Sequence, residues 1–180
     1  MKEEIIISGF GGQGVLSMGK LLAYAGLMEG KEVTWLPAYG PEQRGGTANV
    51  TVIISDSPIS SPIVSTYSTA ILLNQPSLER FTPCIRPGGK LIFDSYGIIA
   101  PPERDDIDLY RIDAMDAAAT MKSIKTFNMF ILGGLIRVLP IVSVDNIKKA
   151  LLHTLPERHH HLIPMNEAAL LKGMEIIRKV

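Results

Sequence analysis

The chain is constrained most by how it begins. Glu4-Ile5-Ile6-Ile7-Ser8 runs directly into Gly9-Phe10-Gly11-Gly12-Gln13-Gly14, and apolar residues then recur at Val15, Met18, Leu21, Leu22, Ala25 and Met28 before Gly30. A β-branched run with no polar alternation is the pattern of a strand buried on both faces. Apolar residues at three- and four-residue steps mark a helix packed along one side, with glycine as its stop. Strand, glycine loop and helix in that order predict a βα unit. Its loop brings the unpaired N–H groups and partial positive charge of a helix N-terminus close to an anion.

The alternation continues. Strands are predicted over Lys31–Leu36, Asn49–Ser55, Ala70–Leu73, Lys90–Asp94 and Leu109–Ile112, with a short helix over Pro76–Thr82 and a weak one over Asp113–Met121. Three helices close the chain: Phe127–Leu139, Val144–Leu155 with Ser143 as cap, and Glu167–Lys179 with Asn166 as cap. Arg86–Gly89 reads as a turn, and Pro156–Pro164, with its run His159-His160-His161, as a solvated loop. The expected fold is α/β: an open, mainly parallel twisted sheet with helices on both faces, Rossmann-like, with a helical C-terminal end. The 180 residues suit a single domain, 1–180.

Composition narrows the function classes. Lys and Arg number 18 against 18 Asp and Glu, so no basic surplus exists to displace counterions from nucleic acid or an anionic membrane. The one cysteine, Cys84, excludes an internal disulfide framework and self-contained iron-sulfur or Cys-rich zinc sites; it reads as a small core residue, with a reactive thiol as the alternative. Met1-Lys2-Glu3-Glu4 is unlike a signal peptide, and the most apolar stretch, Phe127 to Val142, is broken by Asn128, Arg137 and Pro140. A cytoplasmic protein that does not span a membrane is expected. A charged fraction of 20% beside 46% hydrophobic residues fits a sheet covered on both faces or a subunit with buried interfaces.

Gly9 to Gly14 satisfies G-x-G-x-x-G after a strand and before a helix. The second strand nevertheless ends Thr34-Trp35-Leu36-Pro37, without the acid that would hold a ribose. The loop also matches the first half of a P-loop, but Val15-Leu16 stand where Lys and Ser/Thr are required. Two readings stay open: Gly9, Gly11, Gly12, Gln13 and Gly14 cradle a phosphate or carboxylate, or the glycines only permit close packing. A second polar loop, Pro37 to Thr47, leaves a strand end on the same side and carries Tyr39, Glu42, Arg44, Gly45 and Gly46. Arg44 before two glycines can lie flush against a carboxylate or phosphate of a ligand or a partner chain, with Glu42 as its intraloop partner or a second contact; a surface arginine is the alternative. Asn74-Gln75 and Asp94-Ser95-Tyr96 leave strand ends at the same edge, where open α/β sheets bind ligands.

Taken together, GFGGQGV at 9–15, YGPEQRGG at 39–46, VIISDSPISSP at 52–62, Asn74, PGGKLIFDS at 87–95, FNMFILGGL at 127–135 and MNEAALLKGME at 165–175 resemble the gamma subunit of 2-oxoacid:ferredoxin oxidoreductases. The resemblance spans nearly the whole chain in order. It implies a subunit, inactive alone, of an enzyme that decarboxylates a 2-oxoacid, closest to the 2-oxoglutarate type, with pyruvate and branched-chain 2-oxoacids next, and that yields an acyl-CoA and reduced ferredoxin. Thiamine diphosphate, magnesium and iron-sulfur clusters are then expected on alpha, beta and delta-type partners, with CoA as co-substrate, no cofactor intrinsic to this chain, and a homo-oligomer when it is isolated. The resemblance places the glycine loop and the second loop at the shared active site and assigns no catalytic residue here. The rival readings are a stand-alone nucleotide or dinucleotide enzyme and a CoA- or nucleotide-binding module.

Overall fold

The computed structural model describes residues 1–39 and 46–180. Seven strands form one sheet in the order β2-β3-β1-β4-β5-β6-β7. They are β1 (Lys2–Phe10), β2 (Glu32–Tyr39), β3 (Thr47–Ser55), β4 (Tyr67–Leu72), β5 (Ile85–Asp94), β6 (Asp108–Ile112) and β7 (Arg178–Lys179). β1, β4, β5 and β6 pair in parallel, while β3 lies antiparallel between β1 and β2 and β7 closes the far edge antiparallel to β6. β2 and β3 are thus a hairpin added to a parallel core. Five strands share one direction and β3 and β7 oppose them, so the α/β sheet is open and mixed.

The period-two alternation of the strands divides the apolar residues between two cores. Ile5, Ile7, Val52, Ile54, Ile71, Ile92 and Ile112 face α1 (Val15–Met28), α3 (Ala114–Thr120), α4 (Phe127–Val138), α5 (Val144–Thr154) and α6 (Ile163–Ile176). Ile6, Ala70, Leu72, Leu91 and Phe93 face the other way, onto α2 (Gln75–Phe81). Helices cover both faces, as expected, but five of the six crowd onto one. α4 and α6 touch backbone to backbone: a Cβ at Gly133 would overlap the Leu170 carbonyl oxygen, and one at Gly173 the Phe130 carbonyl oxygen.

Several expected boundaries move. The last helix starts at Ile163 rather than Glu167, because Pro164 suits a first turn; Asn166 lies inside it, its Nδ2 donating to Leu162 O at 2.8 Å instead of its side chain capping. The helix ends at Ile176, and Arg178–Lys179, assigned to it by periodicity, pair with β6. Arg86–Gly89 belongs to β5 rather than to a free turn, with an irregular register against β4 and Gly88 N donating to Asp106 O at 2.6 Å. Glu157–Leu162 winds into 3-10 turns where a loop was expected. Among the described residues, no helix is long and apolar enough to cross a membrane.

Candidate functional site

The site begins where β1 ends. Gly14, the N-cap of α1, has φ 75°, and a Cβ there would stand 2.8 Å from the Asn128 Cβ. Only a glycine holds that left-handed conformation without strain, and its missing side chain lets α4 reach the start of α1. No side chain caps α1 and no acidic residue sits in its first turn; the same is true of α4, whose N-cap is Thr126. The start of α4 therefore meets that of α1 beside the glycine loop; Phe127 N donates to Ile124 O, whereas the uncapped first turn of α1 keeps the partial positive charge that favours an anion.

The remaining glycine-loop residues divide between structure and exposure. Gln13 spends its amide on the protein: Oε1 accepts from Phe10 N at 2.6 Å and Nε2 donates to Leu73 O at 3.2 Å, which ties the loop to the end of β4. Gly9 lies under that strut, with a Cβ position 2.5 Å from Gln13 Oε1. Gly11 N donates to Gly46 O at 3.1 Å, and Phe10 pairs with Thr47, so Gly46 and Thr47 lie against the glycine loop. Gly12 is exposed, with no atom within 4 Å of its Cβ position. The expected contacts of Glu42, Arg44 and Gly45 lie outside the described residues, as does the side chain of Tyr39.

Asn74 follows β4 and is 1% exposed. Its Oδ1 accepts from Ser77 N at 2.8 Å and so caps α2, which also fixes the orientation of the amide. Its Nδ2 is buried and has no hydrogen-bond partner among the described residues. A buried donor left unpaired costs about 1–3 kcal/mol, and the Asn74 amide carries that cost among the described residues. Beneath it, Ser8 and Ser77 join their hydroxyls at 2.8 Å.

Asp94, at the end of β5, is 2% exposed and accepts from Ala114 N at 2.8 Å, Met115 N at 3.3 Å and Tyr96 N at 3.2 Å. Burial pushes its carboxyl above the usual range, Asp113 adds to this, and the three N–H groups oppose it. The carboxylate is thus spent on starting α3 and on holding the turn after β5. That turn presents Tyr96 and Ile99, 75% and 91% exposed, at the same edge as Phe10, 42% exposed. Asn128, whose side chain packs against Gly14, is not among the residues the sequence singles out for the site. The sequence signal is a lone polar side chain in the first turn of the otherwise apolar run FNMFILGGL. Among the described residues, no three His, Cys, Asp or Glu side chains gather so as to hold a metal ion.

Comparison with known proteins agrees with this geometry. A segment of 92 residues is 51% identical to ketoisovalerate oxidoreductase subunit VorA of Methanothermobacter thermautotrophicus, covering 51% of this chain and 19% of that protein, so the chain spans about a fifth of the length of that relative. The 2-oxoglutarate synthase subunit KorC of Methanocaldococcus jannaschii is 32% identical over 184 residues, 100% of this chain and 96% of that one. A solved 2-oxoglutarate:ferredoxin oxidoreductase from Magnetococcus marinus, with 2-oxoglutarate, coenzyme A and succinyl-CoA bound, superposes with a TM-score of 0.89 at 26% identity, over 97% of this chain and 31% of that chain. Residues 4–176 match the family model for pyruvate ferredoxin/flavodoxin oxidoreductase. With the sheet, the glycine loop and these relatives in agreement, the chain belongs to the pyruvate ferredoxin/flavodoxin oxidoreductase family, as a gamma-type unit.

Proposed function

We propose that residues 1–180 work as one gamma-type unit of a cytoplasmic 2-oxoacid:ferredoxin oxidoreductase, inactive by itself, whose reaction joins a 2-oxoacid and CoA into an acyl-CoA and CO2 and passes the electron pair to ferredoxin. Thiamine diphosphate with magnesium, and the iron-sulfur clusters, belong in this reading to alpha, beta and delta-type partners. This chain contributes a corner that binds anionic oxygens of CoA or of the 2-oxoacid. One observation carries the reading: the uncapped start of α1, with no acid in its first turn, meets Asn128 of α4 at a glycine loop that Gln13 ties to Leu73, next in the chain to Asn74 and its unpartnered Nδ2. Gly11, Gly12, Gly14, Asn74 and Asn128 form that corner, Gln13 and Gly9 hold its shape, and the second-loop residues Tyr39, Glu42, Arg44, Gly45 and Gly46 are put forward as further contacts of the same anion. The exposed Phe10, Tyr96 and Ile99 at the same edge supply apolar area for a partner surface.

2-Oxoglutarate is the substrate put first, on the full-length similarity to the 2-oxoglutarate synthase subunit and on the bound ligands of the Magnetococcus enzyme. The 51% identity to the ketoisovalerate subunit favours a branched-chain 2-oxoacid as the second reading. The test is purification of the chain from its own cell. Chains bearing thiamine diphosphate and iron-sulfur clusters, with CoA-dependent reduction of ferredoxin by a 2-oxoacid, are the expected result, and kcat/KM on the two substrates decides between them. Recovery of this polypeptide alone, or turnover of a substrate without partners, refutes the proposal.

A further inference from the structure

On the α2 face, away from the glycine loop's helices, a groove of about 820 Å3 runs between α2 and the Ala100–Arg104 segment. That volume is in the range of ligand clefts, about 300–1,000 Å3. Its floor is Leu78 and Ile85, and its walls carry Pro83, Pro87, Pro101 and Pro102. The proline rings fix the walls, and Gln75 Oε1 accepts from Ile99 N and Ala100 N at 3.0 and 3.2 Å, which pins the rim. A groove set in this way loses little entropy when filled.

Its hydrogen-bonding and charge balance are one-sided. Arg104 gives Nε and Nη2 to Asp106 and Nη1 to the carbonyls of Thr82 and Ile85. Arg86 is engaged with Glu4 and with Thr66. Both arginines are therefore occupied, and prolines offer no N–H. Glu79 on one wall and Glu103 on the other have no ion-pair partner among the described residues. Glu79 Oε1 accepts from the uncharged Gln75 Nε2 at 3.2 Å, so neither carboxylate is neutralised by a cation among the described residues, and apolar surface lies between them.

We infer that this groove seats a segment of a neighbouring polypeptide that is apolar in its middle and carries Lys or Arg toward both ends. A small amine would leave most of the volume empty, whereas a chain segment fills the apolar floor and meets both carboxylates. The inference rests on the reading that the chain works within a complex.

The test uses the complex purified from the native cell. A water-soluble carbodiimide, which joins carboxylates to lysine amines without a spacer, is expected to link Glu79 or Glu103 to a lysine of another polypeptide, and amide exchange over 99–104 is expected to be slower in the complex than in the isolated chain. Glu79→Lys with Glu103→Lys, both at exposed positions, is expected to weaken assembly about five- to tenfold while leaving the isolated chain's Tm unchanged. A complex that forms without these crosslinks or this protection, a crosslink only to a second copy of this chain, or a groove that stays open and takes up spermine instead, overturns the inference and leaves the functional reading standing. Failure to recover any complex overturns both.

Discussion

Adjacent glycines on α4 make opposite predictions. A methyl group added at Gly133 overlaps the Leu170 carbonyl oxygen and stands 2.9 Å from its carbon and 3.1 Å from Met174 N, all backbone atoms of α6. No rotamer change relieves that contact, so the helices must part. At Gly134 the nearest atoms are Ile177 Cδ1 at 2.9 Å and Ile112 Cδ1 at 3.0 Å, the ends of side chains that can turn aside. Alanine in place of glycine in a helix interior gains about 0.5–1 kcal/mol. Overpacking costs about 1–3 kcal/mol, and more where backbone must move. Gly133→Ala is therefore expected to destabilise by about 2 kcal/mol net, while Gly134→Ala stays near neutral. At about 2–4 °C per kcal/mol for a chain of this size, Tm should fall about 4–8 °C in the first and change by less than about 2 °C in the second. Thermal unfolding followed by circular dichroism, with urea midpoints as a check, reads the difference. Equal losses in both variants, or no loss in Gly133→Ala, would refute the backbone contact as the reason for the glycine.

Asn74→Ser keeps a cap acceptor for α2 but removes the buried amide donor, so the KM for CoA or the 2-oxoacid in the assembled enzyme should rise at least about tenfold with Tm little changed; unchanged kinetics would remove Asn74 from the site. Glu29, at the end of α1, accepts from Ser143 N at 2.6 Å and Asn146 Nδ2 at 2.9 Å, so Glu29→Ala should cost about 1–2 kcal/mol and speed amide exchange at the start of α5; unaltered exchange there would count against that bridge. Asp113 and Asp108 both lie below the ordinary 3.8, held down first by the Ser95 hydroxyl and by Lys179 respectively, with Arg111 and Arg178 also acting on Asp113. Their contribution to stability is complete above about pH 3.8 and is lost as pH falls through the lowered values. Hydrogen exchange should therefore show β7, whose Val180 N donates to Leu109 O at 3.0 Å, freed in acid before the sheet unfolds; β7 protection that persists to global unfolding would contradict this.

The parts of the fold that local chemistry dictates were legible in the sequence. Ile5-Ile6-Ile7 and the glycines behind them announce β1 and its loop, and Ser143 does cap α5, its Oγ accepting from Asn146 N at 3.2 Å. The direction of β3 was not legible, because Asn49 to Ser55 presents the same apolar run to a parallel or an antiparallel neighbour, and the choice is made by pairing with β1 over 40 residues away in sequence. β7 was hidden for the same reason: two polar residues become a strand only through β6 and the ion pairs of Arg178 and Lys179. In the candidate site, the glycines and Asn74 could be picked out by residue type. Asn128 could not, since its position depends on Gly14 lacking a side chain; Asp94 could be placed at that edge, but not its part in starting a helix 20 residues further along the chain.

The uneven covering of the sheet bears on how the chain must be made. Residues up to Ile112 supply six of the seven strands, whereas α3 to α6, which shield most of one face, come entirely afterwards. A ribosome that has released only the first two-thirds of the polypeptide has therefore produced a sheet with Ile71, Ile92 and Ile112 bare to water. Until the final helices emerge, that nascent surface is a site for holdase chaperones and, when synthesis outpaces them, for aggregation.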